Sequence, residues 1–219
     1  MAITLKQLES REAWLKHRNK YIGGSDAACV LGLNPWRSNV ELWEIKTGRK
    51  QAEDISDKPF VKYGHDAEPY LRALFALDFP EYEVEYVDNN MWLNDKYPWA
   101  HASLDSWLTE KSTGRRGVLE IKTTTIVRAG QRDEWKDKIP INYYCQILWY
   151  MMVCEFDFGI LKAQLKTEID GDVFLTTKHY KIERSDVEKD IELLRVESER
   201  FYKAIITDTR PALILPNIF

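Results

Sequence analysis

Apolar and polar positions alternate with period two from Ala100 to Leu108 and again from Gly117 to Thr125, and a polar stretch, TEKSTGRRG, joins the two runs. Period two is the spacing of a half-buried strand, so the pattern predicts a β-hairpin. FGILKAQLK and DVFLTTKHYKIE predict a second hairpin, and Tyr82 to Leu93 a further strand. Helices are predicted over residues 3–18, over DAACVLGL after a Gly23-Gly24 turn with Ser25 as its N-cap, and over Val40–Thr47. RKQAEDISDKP then reads as a polar loop. Ala67–Phe79 is predicted helical with Pro69 in its first turn, and 141–154 forms an apolar helix. A last helix opens on a capping box, Ser185 with Glu188, and carries Val187, Ile191, Leu194, Phe201 and Ile205 on one stripe. Strands mixed with helices in this order predict the α/β class, a central mixed sheet flanked by helices, in one domain over 1–219.

Composition sharpens this picture in a few places. A chain of 219 residues that is 44% apolar can bury one sizeable core. No run approaches the ~20 apolar residues of a membrane span, and MAITLKQLESREAW reads as a charged helix rather than a signal peptide, so a cytoplasmic protein is expected. Cys29, Cys145 and Cys154 are odd in number, and His17, His65, His101 and His179 are scattered, which points to neither a disulfide frame nor a zinc site. The net charge of −4 sits awkwardly with nucleic-acid binding, unless basic groups are gathered on one face.

The chemistry lies in the first hairpin. Val118, Glu120 and Lys122 share one face of their strand; His101, Ser103, Asp105 and Trp107 share one face of the other. Antiparallel pairing then brings Asp105 beside Glu120 and Lys122, in the spacing D-x(14)-E-x-K. A solvated ion pair is the plain alternative. Two carboxylates a few ångströms apart call for a cation between them, and such oxygen ligands suit Mg2+ or Mn2+. With a lysine alongside, this is equipment for phosphodiester hydrolysis.

The D-x(n)-E-x-K hairpin is the core signature of the PD-(D/E)xK nucleases. Together with WLKHRNKYIGGSDAACVLGLNPW, ELWEIKTG, YGHDAEPYLRALF, HASLDSWL, LEIKTTT and YYCQILWYMMV, in that order, it resembles the YqaJ-type viral recombinases, the branch that includes the phage lambda exonuclease. The stretches run from Trp14 to about Val153, and Leu104 stands where the superfamily name has Pro. The resemblance implies a restriction-endonuclease-like core and a 5′→3′ exonuclease that acts on linear double-stranded DNA and leaves a 3′ overhang. It implies Mg2+, replaceable by Mn2+, as a pair of ions held by Asp105, Glu120, the Ile121 backbone carbonyl and Glu68, directly or through water. Lys122 would activate the water, and Gln146, four residues from Tyr150 on one helix, would also be a site residue. Arg18, Ser25 and Ser103 would hold a 5′-phosphate, the first two matching R-x(6)-S, with Trp36, Arg37 and Tyr150 as further DNA contacts. It further implies a homotrimer, DNA ends and a single-strand annealing protein as partners, and a phage or prophage origin. A sequence- or structure-directed endonuclease of the same superfamily, and an inactive DNA-binding protein, stand as alternatives.

Overall fold

The computed structural model describes residues 2–215. Five strands make a mixed sheet in the order β2 (Tyr82–Glu85), β4 (Ser106–Glu110), β5 (Arg116–Ile126), β6 (Phe158–Ile169), β7 (Asp172–Glu183). Neighbours are antiparallel except β5 and β6, which run parallel. A parallel neighbour needs a crossover, and α5 (Ala129–Glu134) and α6 (Ile141–Cys154) supply it. A separate antiparallel pair joins β1 (Ile3–Gln7) to β3 (Asn90–Asn94). The remaining helices are α1 (Arg11–Arg18), α2 (Gly24–Val30), α3 (Asn39–Lys46), α4 (Pro59–Asp78) and α7 (Arg184–Ile206). The α/β class and the mixed sheet flanked by helices are those the sequence predicts.

Period two along β5 divides the interior in two. Val118 enters a core shared with α6 and α2, whereas Leu119 and Ile121 enter a second one beneath Leu71 and Phe75 of α4. Every residue of α6 from Ile147 to Cys154 is buried, which explains why that helix is apolar all round. The small residues Ala27, Ala28 and Cys29 let α2 pack closely against it. Fully buried side chains such as Phe158 each stabilise the fold by about 1.5–3 kcal/mol. Trp149, also fully buried, donates its indole N–H to the His101 carbonyl at 2.8 Å and so fixes α6 against the segment leading into β4. On α7, Ile191, Leu194 and Phe201 are buried with Val187 and Ile205 packed beside them, as the stripe requires.

Several local expectations are corrected. Residues 3–18 are not one helix: Ile3–Gln7 alternate and pair with β3, after which the Ser10 hydroxyl caps α1 by accepting from the Ala13 N–H. Gly23, not Ser25, is the cap of α2. Ser25 is its second residue, and the Asp26 carboxylate satisfies the Gly23 N–H from within the first turn. α4 begins at Pro59, eight residues before the expected start, so Pro69 is interior and has no N–H for the His65 carbonyl. Tyr82–Leu93 is two strands in different sheets, with a positive φ at Asn89 between them. Ser185 caps nothing. α7 starts at Arg184, two residues earlier than that cap implies, the Ser185 hydroxyl donates to Asp186, and Glu188 pairs with Arg184 instead.

Candidate active site

The strand expected over Ala100–Leu108 is interrupted, and the interruption makes the site. Ala102 bridges to Trp92 of β3, the chain bends at Asp105, and β4 starts at Ser106. The buried Asn90 side chain holds the bend like a strand neighbour: its amide donates to the Leu104 carbonyl at 2.9 Å and its oxygen accepts from the Leu104 N–H at 2.8 Å. Across the hairpin Ser106 pairs with Leu119, so the preceding residue, Asp105, comes level with Glu120. Its carboxylate accepts the Ile121 N–H at 2.8 Å. Glu120 is 1% exposed, and neither carboxylate oxygen has an aligned hydrogen-bond donor, although the Lys122 ammonium lies 2.5 Å from Oε1.

Burial, then the charge of Asp105, pushes the Glu120 carboxyl up to about 8. Burial raises Asp105 too, against the pull of Lys122 and the Ile121 N–H. Burial opposes the charge on Lys122, but Glu120 and Asp105 outweigh it and hold the amine above its ordinary range. In this arrangement Lys122 therefore stays protonated, a cation and hydrogen-bond donor rather than a base.

Glu68, on α4, lines the same cavity and is pushed up to about 7 by burial and then by Asp105. Arg72, one turn on, reaches Glu68 at 2.5 Å, donates through Nε to the Asp105 carbonyl at 3.1 Å and to the Ser106 hydroxyl at 2.7 Å, and stacks over Tyr86. Sequence reasoning missed it. The i,i+4 spacing of Glu68 and Arg72 is the signal that could have found it.

The cavity measures about 510 Å³ and brings together Arg18, Ser25, Ser103, Asp105, Glu120, Lys122, Glu68, Gln146 and Tyr150. Arg18 Nη2 donates to the Ser25 hydroxyl at 2.6 Å, and Gln146 donates to the Tyr150 hydroxyl at 2.8 Å. Trp14 is a second residue that was missed. Its ring carries the Arg18 guanidinium at 5.0 Å, and its indole N–H reaches the Ser103 hydroxyl at 3.0 Å. The Ser103 proton is already engaged by the Asn90 carbonyl, so Ser103 steadies Trp14 here. Trp36 and Arg37 do not line the cavity; Trp36 is 72% exposed on the loop after α2. Four cations, Arg11, Arg18, Arg72 and Lys122, share the cavity wall with the acids, a local balance that the net charge conceals.

Among the described residues, no three His, Cys, Asp or Glu side chains converge to make a metal site by themselves. A hard cation such as Mg2+ does not require three, because it keeps several waters and takes only one or two carboxylates. The Asp105–Glu120 pair fits that demand. Two buried carboxylates sharing the single ammonium of Lys122 are costly, and a bound cation would offset that cost.

A family model described as the YqaJ-like viral recombinase domain matches residues 13–157. The chain belongs to the YqaJ-like viral recombinase family. The YqaJ protein of Bacillus subtilis strain 168 is 30% identical over 207 residues, which cover 93% of this chain. The chain spans 59% of that relative's length. Among solved structures, the alkaline exonuclease LHK-Exo from Laribacter hongkongensis superposes with a TM-score of 0.62 at 17% identity, covering 90% of this chain and 94% of its own. A phage-related exonuclease from Haemophilus somnus 129PT gives 0.57 at 13% identity, covering 86% and 96%. Likeness at these identities establishes a shared fold.

One buried group of this YqaJ-like domain has a pH consequence. His101 is 2% exposed and neither ring nitrogen has a partner. Burial, with Arg18 adding to it, pushes its pKa from 6.5 down to about 3. Between those values the unfolded chain binds the proton and the folded one does not, so stability falls as pH drops through that window. His101→Gln is expected to flatten this acid limb. Urea midpoints at pH ~7 and ~5 should differ less in the variant than in the wild type, and an unchanged difference would refute the assignment.

Proposed function

We propose that the chain is a Mg2+-dependent 5′→3′ exonuclease that digests one strand of linear duplex DNA and leaves a 3′ single-stranded overhang. The observation that carries this reading is the buried Glu120 carboxylate, set level with Asp105 and ion-paired to Lys122, in the same cavity as the Arg18–Ser25 pair.

The chemistry a divalent cation supplies when bound is Lewis acidity toward the scissile phosphoryl group and a lowered pKa of water. Asp105 and Glu120 would hold it, with the Ile121 carbonyl and Glu68, directly or through water, completing the set. Lys122, kept protonated by its acidic neighbours, orients the attacking water and offsets charge on a phosphoryl oxygen. Arg18 presents a planar guanidinium backed by Trp14, with the Ser25 hydroxyl beside it, a pairing suited to a terminal phosphate. Ser103 joins them only by releasing Asn90. Gripping a 5′-phosphate in the same cavity as the cutting residues sets the direction of digestion.

The family's viral recombinase description supports a role in viral recombination. To this we add a phage or prophage origin, action in the host cytoplasm, transfer of the 3′ strand to a single-strand annealing protein, and a homotrimer as the working assembly. Light scattering on the purified protein tests the trimer.

Mg2+ digestion of 5′-labelled and 3′-labelled linear duplex, beside a covalently closed circle, tests the activity. Loss of the 5′ label as mononucleotide, an intact circle and full arrest by EDTA are expected. A circle cut as readily as the linear form would favour a superfamily endonuclease. Duplex binding with no Mg2+-dependent product would mean an inactive DNA-binding protein.

A further inference from the structure

We propose that Asp26 and Lys46, neither of which lines the cavity, are positioning residues that set the end specificity of the site by clamping the turn that carries Ser25. The inference rests on the reading of Arg18 and Ser25 as a 5′-phosphate pocket.

Lys46 is the last residue of α3, and its ammonium reaches back under the chain to the Tyr21 carbonyl at 2.7 Å and to Asp26 Oδ2 at 2.8 Å. The same carboxylate oxygen accepts the Gly23 N–H at 3.1 Å, and the Asp26 N–H donates to the Gly23 carbonyl at 2.9 Å. One ion pair thus fixes the backbone at Tyr21 and at Gly23, on either side of Ile22. The pair is buried, with side chains 10% and 8% exposed. A buried ion pair is on balance no more stabilising than apolar residues of the same volume. What this one does provide is geometry.

The geometry matters because the turn is pressed from its other side. A Cβ on Gly23 would stand 2.6 Å from His101 Nε2, and a Cβ on Gly24 would stand 2.3 Å from a Tyr150 ring carbon. Held between those two rings and the ion pair, the turn has one path, and it delivers Ser25 to 2.6 Å from Arg18. Without the clamp, Tyr21–Gly24 is free to relax away from the rings, and the hydroxyl and guanidinium no longer converge. Neither Asp105, Glu120 nor Lys122 touches the clamp, so cleavage of ends that lack a phosphate should not depend on it.

The test compares linear duplexes of one sequence that carry either 5′-phosphoryl or 5′-hydroxyl ends. The principal variant is Asp26→Asn with Lys46→Met, which leaves no unpaired charge in the interior; Asp26→Asn alone is the second, keeping an acceptor for Gly23. The phosphoryl-to-hydroxyl ratio of kcat/KM should fall about tenfold in the double variant, the worth of one charged hydrogen bond, and less in the single one. Rates on hydroxyl ends should stay near wild type in both. A wild-type ratio well above one that persists in both variants overturns the clamp and leaves the pocket standing. Rates that fall equally on both ends mean a structural role and overturn it as well. A wild-type ratio of one overturns the pocket itself, and the clamp with it.

Discussion

Glutamine in place of Glu120 is expected to stop hydrolysis and yet leave the protein, assayed in EDTA, melting no lower than wild type. The two effects share a cause. The carboxylate is buried, has no aligned donor, and faces Asp105 across the hairpin, so its negative charge is held at a cost to the fold. The amide keeps the shape, removes the charge and removes an anionic ligand. Loss of a preorganised electrostatic group of this kind lowers turnover on the order of 10³-fold or more. Lys122→Met should inactivate as well, with stability moving the opposite way. Its ammonium is the cation 2.5 Å from Glu120, and with the side chain 20% exposed its loss should cost roughly 3 kcal/mol at most. Digestion rates and melting curves of the two variants decide the matter. Near-normal turnover in Glu120→Gln, or a large fall in its melting temperature, would remove the carboxylate pair from the centre of the site.

Arg18→Ala is expected to weaken kcat/KM on 5′-phosphoryl ends ~10- to 100-fold, the range for a charged hydrogen bond to a phosphate. Ends without a phosphate should be digested as before. Arg18→Lys should not restore the loss, because a lysine has neither the planar fork nor the same stacking on Trp14. The measurement is the ratio of kcat/KM on the two kinds of end. An Arg18→Ala enzyme that still prefers the phosphorylated end would mean that the anion is held elsewhere.

The hairpin was readable from sequence because everything that fixes it is local. Period two assigns faces, the polar stretch assigns the turn, and together they set Asp105 against Glu120 without knowledge of any distant residue. The apolar stripe of α7 and the apolar helix α6 were legible for the same reason. Boundaries failed where a distant partner decided them. Ile3–Gln7 is a strand because β3 is there to pair with it, and α4 runs through Pro69 because Leu71 and Phe75 bury a continuous face beyond it. The residues that shape the site without being its reagents were invisible for a related reason. Asn90, Arg72 and Trp14 act by reaching across to chain segments distant in sequence, and only the i,i+4 spacing of Arg72 to Glu68 and of Trp14 to Arg18 marks any of them locally. Ser25 shows the converse: it was rightly placed near Arg18, but as a cap it was displaced by Gly23, where the His101 ring leaves no room for a side chain.

The paired acids and the lysine ride on one short hairpin, whereas Arg18 and Ser25 belong to an N-terminal segment fastened to it through Ile22, Trp99 and His101. Under the proposed function, scission and selection of the terminus fall on separable stretches of polypeptide. An engineer could exchange residues 11–30 for a differently charged counterpart and retarget the catalyst to other ends, leaving the cutting hairpin as it is.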